Sequence, residues 1–545
     1  MSTKIIIIGG LSAGPSAAAK ARRTDENAEI ILFEKTEHIS YATCGIPYAM
    51  SGKIKTRDKL MVVQPELLKK RFGVDLHLNE PVIDVDTNAQ LVYTRNGSYS
   101  YDKLIVATGG SAFLPPIENV QNFENWAFAK TIEDFDKIMK RGVIENSEHI
   151  TIVGAGLIGL ETAENLVHAG KKVTVIELST QVLANWNMKF AQMAANELLK
   201  NGIDLKLGTS VKAVDPATQE ILLSNGEKFF TDFMMVSISV KPNTEMFVSK
   251  GANSLPNGAL IVNERMETSL PNIYAAGDCA SIPNMLTGNY GWFPMGTHSN
   301  KAGRVAGANA AGANETFMGG YGTAIMKLFD YTIARTGLGS KDLDRKNIPY
   351  KSSMIITGTT PGFYPDPKDI FLEIYYDPEK GTVLGAEMIG ESGVDKRVDV
   401  LSTAIYAKLT IHDLPRLDLA YAPPYSPAKD PVVVVGYVAE NGNKGNYEEV
   451  NVTAAKTLIN ETKDLTILDV RNPGELHNNG SIERATNIPL DDLRNRLDEL
   501  SKDKPILVYC AKGLRGYLSS LILAQNGFKN IYNLAGGFNA WKNMY

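Results

Sequence analysis

Apolar and polar positions alternate along this chain in four blocks of different design. The first, residues 4–35, opens on the run Ile5–Ile8, breaks at Gly9-Gly10, continues through Ala17–Arg23 and closes on Ile30-Ile31-Leu32-Phe33-Glu34. An apolar run of strand length, a glycine turn, a helical stretch and a second apolar run predict a βαβ unit whose strands are buried on both faces. The same order recurs from His149-Ile150-Thr151-Ile152-Val153, through a glycine turn and a helix reaching His168, to Lys172-Val173-Thr174-Val175-Ile176-Glu177. Between about residues 320 and 440 the pattern changes to alternating strands such as Phe371–Tyr376, followed by a helix near Val398–Leu409, which predicts an α+β module. The polar, glycine-rich stretch Asn441–Asn446 has the composition of a linker. Beyond it, Thr466–Asp469 and Ile506–Tyr509 are the expected strands of a small α/β domain.

Composition narrows the function classes. A chain of 545 residues exceeds what one hydrophobic core supports, so two to four domains are expected. With a hydrophobic fraction of 44%, a charged fraction of 21% and a net charge of -5, there is no basic bias toward nucleic acid. Ile5–Ile8 is too short for a signal-peptide core, and no stretch approaches a membrane span, Val432–Val435 coming nearest. A soluble protein is expected. The 3 cysteines cannot form a disulfide framework and fit a reducing, cytoplasmic setting; the 7 histidines show no metal-ligand spacing, so no metal site is expected.

Gly154-Ala155-Gly156-Leu157-Ile158-Gly159 lies between a strand and a helix, the context in which such a turn lets a pyrophosphate rest on the helix N-terminus. Glu177, at the end of the next strand, can accept from a ribose 2'-hydroxyl and would repel a 2'-phosphate, which favours NADH over NADPH. A structural turn without ligand is the alternative. The first turn, Gly9-Gly10-Leu11-Ser12-Ala13-Gly14, has Leu11 in place of the middle glycine and is a weaker signal by itself. Glu34, the piece Asp102–Gly109 and the piece Ile273-Tyr274-Ala275-Ala276-Gly277-Asp278 strengthen it.

Together these pieces resemble the flavoprotein disulfide reductases with two dinucleotide domains, over residues 1–440. The resemblance implies an FAD-binding domain (1–112 and 245–320), an NADH-binding domain (113–244) and a dimerisation domain (321–440), followed by a linker (441–447) and a last domain (448–545). It places FAD on Gly9, Gly10, Gly14, Glu34, Lys35, Val82, Thr108, Gly109 and Asp278, and the nicotinamide cofactor on Gly154, Gly156, Ile158, Gly159 and Glu177. Asp278 would hold the ribityl chain; a loop-capping role is its structural alternative. Cys279 reads as a packing residue.

The segment Ser40-Tyr41-Ala42-Thr43-Cys44-Gly45-Ile46-Pro47-Tyr48 stands where a glutathione-reductase-like enzyme carries two cysteines, but position 49 is Ala49. Without a resolving thiol in the segment, Cys44 must cycle through a mixed disulfide, a persulfide or a sulfenic acid, unless it is merely packed. The segment resembles the Ser-Phe-x-x-Cys motif of coenzyme A disulfide reductases, with Tyr41 for phenylalanine and Thr43 before the cysteine. That resemblance implies coenzyme A contacts from Ser16, Lys20, Arg23, Ser40, Thr43, Arg71, Asn300 and Lys429. Three cations within Lys20-Ala21-Arg22-Arg23 could bind a polyphosphate, a solvated charged face being the alternative. Ala420–Ser426 resembles the segment that crosses a homodimer to the partner's cysteine, with Tyr421 supplying a hydroxyl. Where the family has Tyr-Tyr-Pro this chain has Phe363-Tyr364-Pro365, which tilts the expectation from a disulfide toward a persulfide or polysulfide. A peroxidase or NADH oxidase would place a histidine in the first glycine turn, where Ser12 stands, and no histidine near Pro424 offers acid/base chemistry of the glutathione reductase kind.

Tyr509-Cys510-Ala511-Lys512-Gly513-Leu514-Arg515-Gly516 follows a strand and precedes a helix, so backbone N–H groups with Lys512 and Arg515 favour a thiolate or bound persulfide at Cys510. With Leu468–Glu475, Ala485–Leu490 and Leu534–Trp541 it resembles a rhodanese domain, although the usual Gly-His-Ile reads Gly480-Ser481-Ile482. A phosphatase loop would be longer. The expectation is an enzyme in which Cys44, Tyr421 and Cys510 handle sulfur with FAD, NADH and coenzyme A, on a small thiol, persulfide or disulfide. A coenzyme A-binding sulfur carrier or redox sensor without rapid turnover is the alternative from another class.

Overall fold

The computed structural model describes residues 2–444 and 447–545. The chain divides into two compact units: Met1–Thr180 with Asn201–Tyr321, and Gln181–Lys200 with Gly322–Tyr545.

The first unit holds two five-stranded parallel sheets of Rossmann-like design. In one, Ile273–Ala275, Lys103–Val106, Lys4–Ile8, Glu29–Phe33 and Val74–His77 lie in that order. The isoleucine run forms the middle strand with Ile5, Ile6 and Ile7 fully buried, as continuous apolar sequence demands of a strand covered on both faces. Its helix runs over Ala13–Thr24, starting directly at the glycine turn rather than near Ala17. In the other sheet the order is Asp204–Leu207, Lys172–Glu177, His149–Val153, Phe233–Val236 and Trp126–Phe128.

The second unit contains an antiparallel five-stranded sheet ordered Ala324–Leu328, Tyr331–Gly337, Val383–Gly390, Asp369–Tyr376, Lys351–Gly358. The helix expected near Val398–Leu409 covers Val394–Tyr406: it starts after Gly393 and is over before Lys408, both at positive φ. A parallel five-stranded sheet follows, ordered Glu448–Val450, Ile531–Leu534, Ile506–Tyr509, Thr466–Asp469, Thr486–Asn487. The α/β class, with an α+β module and a last α/β domain, is as the sequence implied.

Two stretches differ from expectation. Gln181–Lys200, placed by sequence in the 113–244 domain, belongs to the second unit, where Lys189 Nζ pairs with Glu373 at 2.8 Å and Asn187 Nδ2 donates to Ser340 Oγ at 2.9 Å. The expected linker 441–447 is helical through Lys444, Gly445 and Asn446 lying outside the described residues. Val432, Val435, Gly436 and Ala439 form the buried stripe of that helix, Pro431–Lys444, and the contact from Lys351 Nζ to Asn443 Oδ1 (2.9 Å) holds its polar end against the breaking tendency of Asn and Gly. No described helix is long and apolar enough to cross a membrane.

Candidate active sites

The two glycine turns of the first unit are built alike. Gly9 and Gly154 both sit at φ 110°, and a Cβ on Gly14 or Gly159 would lie 1.9 or 2.0 Å from the carbonyl oxygen of Gly9 or Gly154, so the helix can start that close only with glycine there. Glu34 accepts from Gly10 N (2.8 Å) and Thr36 N (3.0 Å), as Glu177 does from Ala155 N (2.9 Å) and Ser179 N (2.8 Å). Each carboxylate thereby fixes its loop at the strand end where a ribose would be recognised. A Cβ on Gly156 would meet no atom within 4 Å, so nothing in the protein requires glycine there, and its backbone is open to a close-approaching phosphate. Leu11, which replaces the matching glycine, is half-buried, while Ile158 is 49% exposed beside the second turn. Lys35 is exposed, and Val82 packs partly buried against the core of the first sheet.

Thr108 and Gly109 are tied to the returning chain: Thr108 Oγ1 donates to Asn243 O (2.6 Å), and Asn243 Nδ2 donates to Thr108 O (2.9 Å). Burial pushes the Asp278 carboxyl above the usual carboxylate range, Lys130 Nζ at 4.0 Å and Ser299 partly opposing it. Such a carboxyl suits hydrogen bonds to sugar-alcohol hydroxyls. Cys279 is fully buried, its Sγ donating to Val106 O and Ala276 O (both 3.3 Å), as expected of a packing residue.

Cys44 is an exposed free thiol in the single turn Thr43–Gly45, which leads into the helix Ile46–Met50. The segment is set by Ser40, buried at φ 46°, whose N–H donates to Gly10 O (2.9 Å) and whose carbonyl accepts from Val62 N (2.7 Å). The cysteine segment therefore hangs directly from the first glycine turn. Thr43 is half-buried.

Of the coenzyme A contacts, Ser16 and Asn300 meet: Ser16 Oγ donates to Asn300 Oδ1 at 2.7 Å. The basic flank is less open than expected. Lys20 Nζ pairs with Glu315 at 2.5 Å, and Arg22 is spent on the carbonyls of Phe72, Gly73 and Glu26, so it is a structural tie. Arg23 is exposed and lies over the ring of Phe72, the residue that follows the exposed Arg71, at 5.9 Å.

In the second unit, Tyr421 (53% exposed) and Lys429 lie on a segment anchored by a buried ion pair. Arg397 Nη2 reaches Asp430 Oδ2 at 2.9 Å and Thr359 O at 3.2 Å, and Ser426 Oγ donates to Asp430 Oδ2 at 2.8 Å. One guanidinium so fixes both the tyrosine segment and the start of the turn bearing Phe363, which is 78% exposed.

Cys510 heads its loop with only 2% of its surface exposed, and its Sγ accepts from Gly513 N at 3.0 Å. Arg515 faces Cys510 but gives a bidentate pair to Glu475 (2.6 and 2.7 Å). Lys512, expected in the cradle, instead pairs with Asp369 at 2.6 Å. Below the loop, Arg471 is buried against Asp469 (2.7 Å), donates to Gly480 O (2.8 Å) and stacks on Phe538 at 4.2 Å. Ile482 N donates to Tyr509 Oη (3.1 Å), so the backbone carries this corner where the usual histidine is missing.

Sequence reasoning missed one polar group near Cys44. Tyr48 Oη donates to Glu161 Oε1 (3.4 Å), burial pushing the Glu161 carboxyl up to about 7 and the Tyr48 phenol up to about 12. Glu164, one turn on, is fully buried with neither oxygen hydrogen-bonded, Lys53 Nζ standing 3.8 Å away. Acids at 161 and 164 among Leu160, Ala163 and Leu166, on a helix packed into the interior, were the available signal.

The chain matches three families: pyridine nucleotide-disulphide oxidoreductase over residues 3–308, the dimerisation domain of the same class over 323–431, and rhodanese-like domain over 451–544. It is 35% identical over 441 residues to a NAD(P)H coenzyme A polysulfide/persulfide reductase of Pyrococcus horikoshii, covering 80% of this chain and 98% of the other. Its fold is similar to the crystal structure of reduced CoADR-RHD from Bacillus anthracis (TM-score 0.96, 34% identity, 100% of this chain and 98% of that one). It is also similar to a NAD-dependent persulfide reductase from A. fulgidus (TM-score 0.91, 35% identity, 99% and 100%). With its paired nucleotide folds, lone exposed cysteine and second cysteine in a loop behind a parallel sheet, the chain belongs to the pyridine nucleotide-disulphide oxidoreductases, FAD- and NAD(P)H-using enzymes, and carries a rhodanese-like domain.

Proposed function

We propose that this enzyme reduces a persulfide or polysulfide, carried as coenzyme A persulfide, with electrons from NADH, and that its rhodanese domain moves sulfur to or from the same thiol. The observation that carries the reading is Cys44: an exposed thiol in the unit that holds both nucleotide folds, with Ala49 buried where a resolving cysteine would stand.

The residues present suit FAD on the first turn and NADH on the second, with Glu34 and Glu177 at the ribose positions and Asp278 toward the sugar-alcohol chain. When bound, FAD relays an electron pair from NADH to sulfur. Cys44 supplies the nucleophile. Attack of its thiolate on the carbon-bonded sulfur of R–S–SH forms a mixed disulfide and expels hydrosulfide. Two electrons and a proton then free the Cys44 thiolate and R–SH. Ser16, Asn300, Lys20, Arg23 and Arg71 would orient the carrier, and Tyr421 of a partner subunit would stabilise the departing thiolate in a homodimer. Glu177 favours NADH. A cytoplasmic setting fits thiols kept reduced.

Anaerobic steady-state kinetics with coenzyme A persulfide, polysulfide, coenzyme A disulfide and peroxide tests the reading. The persulfide or polysulfide should give the highest kcat/KM. A higher value for disulfide or peroxide overturns the assignment.

A further inference from the structure

Both cations of the Cys510 loop are claimed by carboxylates, one of them from outside the rhodanese domain. Arg515 is held by Glu475 of that domain. Lys512 is held by Asp369, the first residue of the strand Asp369–Tyr376 in the antiparallel sheet. Asp369 is fixed by its register opposite Gly358, and its neighbour Lys368 is already engaged by Asp366 and Glu391, so the Asp369 carboxylate is left for Lys512. On the exposed side of the loop stand Leu514, 70% exposed, and Leu518, 38% exposed, one turn apart on the same helix. Cys510 itself is nearly covered, so a donor must reach it end-on.

A compact dianion such as thiosulfate depends on free cationic charge at the loop. A persulfide on a carbon stem carries at most one charge at its reacting end, and the methylene next to its sulfur can lie on Leu514 and Leu518. We propose that Asp369 is a specificity-determining residue: by drawing Lys512 away from the sulfur-transfer loop it turns Cys510 against thiosulfate and toward persulfides borne by a thiol. The transfer is balanced without a redox partner. The Cys510 thiolate attacks the outer sulfur of R–S–SH, a new S–S bond forms as the old one breaks, and the electron pair leaves on the carbon-bound sulfur, which takes up the proton.

This rests on the proposed function only for the presence of thiol persulfides, and its test uses no NADH. Cyanide-trapped sulfur transfer is measured on the full chain with thiosulfate and with glutathione persulfide, for the native protein, Asp369→Asn and Asp369→Asn/Lys512→Ala. The native protein should favour the persulfide. Asp369→Asn should lower the thiosulfate KM about three- to fivefold, the range exposed charge pairs support, with persulfide kcat/KM unchanged. Adding Lys512→Ala should cancel the gain, showing that the freed ammonium caused it. Retained persulfide turnover in Asp369→Asn reports an intact loop. Parallel changes for both donors, an unchanged thiosulfate KM, or a native preference for thiosulfate would overturn the assignment.

Discussion

The phenol of Tyr48 donates to the Glu161 carboxyl at 3.4 Å, in the same helix-to-helix contact that backs the Cys44 segment. Burial raises Glu161 to about 7, and the charge of Cys44 is among the influences that raise Tyr48. Below that pH the pair is neutral; above it an ionised carboxylate stands behind the helix that follows Cys44. The pH profile of NADH-dependent reduction should therefore carry an inflection near 7, and Glu161→Gln should remove it. The same shift has a stability consequence. Between 4.5 and about 7 the folded state holds a proton that the unfolded chain releases, so this group's contribution falls as pH rises through that window. A Glu161→Gln profile identical to the native one counts against the assignment.

Asp430→Ala should free the segment bearing Tyr421, because Arg397 is buried and would lose its carboxylate. Breaking a buried pair from one side costs about 3–5 kcal/mol. Hydrogen exchange over residues 420–430 should rise, and reductase kcat should drop more than tenfold (about 1.4 kcal/mol per decade) with the flavin absorbance unchanged.

Asp469→Ala should destabilise the rhodanese domain by about 3–5 kcal/mol, since Arg471 is held at 2.7 Å in a buried corner. Amide exchange in Thr466–Asp469 and Ile506–Tyr509 should accelerate in parallel. Unaltered exchange there would show that the stacking of Arg471 on Phe538 is sufficient.

Glu177→Ala should raise the NADH KM by about tenfold, the value of a hydrogen bond to a charged group, and lower the preference over NADPH. Initial rates with both nucleotides check this.

Much of this was legible in the sequence. Continuous apolar runs such as Ile5–Ile8 and Ile506–Tyr509 fit strands buried on both faces of a parallel sheet, and the strand-turn-helix order marked both nucleotide folds and the Cys510 loop. What could not be read was tertiary in origin. Asn441–Lys444 has loop composition, yet it continues a helix whose buried stripe starts at Val432. Lys512 and Arg515 read as free charge because Asp369 and Glu475 lie 143 and 40 residues away in the chain. Arg22 looked like its neighbours until the carbonyls of Phe72 and Gly73 claimed it. Glu161 and Glu164 look like ordinary helix surface unless their apolar neighbours are weighed.

The two cysteines are assigned separate tasks, reduction at Cys44 and sulfur transfer at Cys510. Anaerobic NADH consumption and sulfide release with coenzyme A persulfide should be abolished in Cys44→Ser and retained in Cys510→Ser. Sulfide release coupled to NADH in the Cys44→Ser protein would contradict the account.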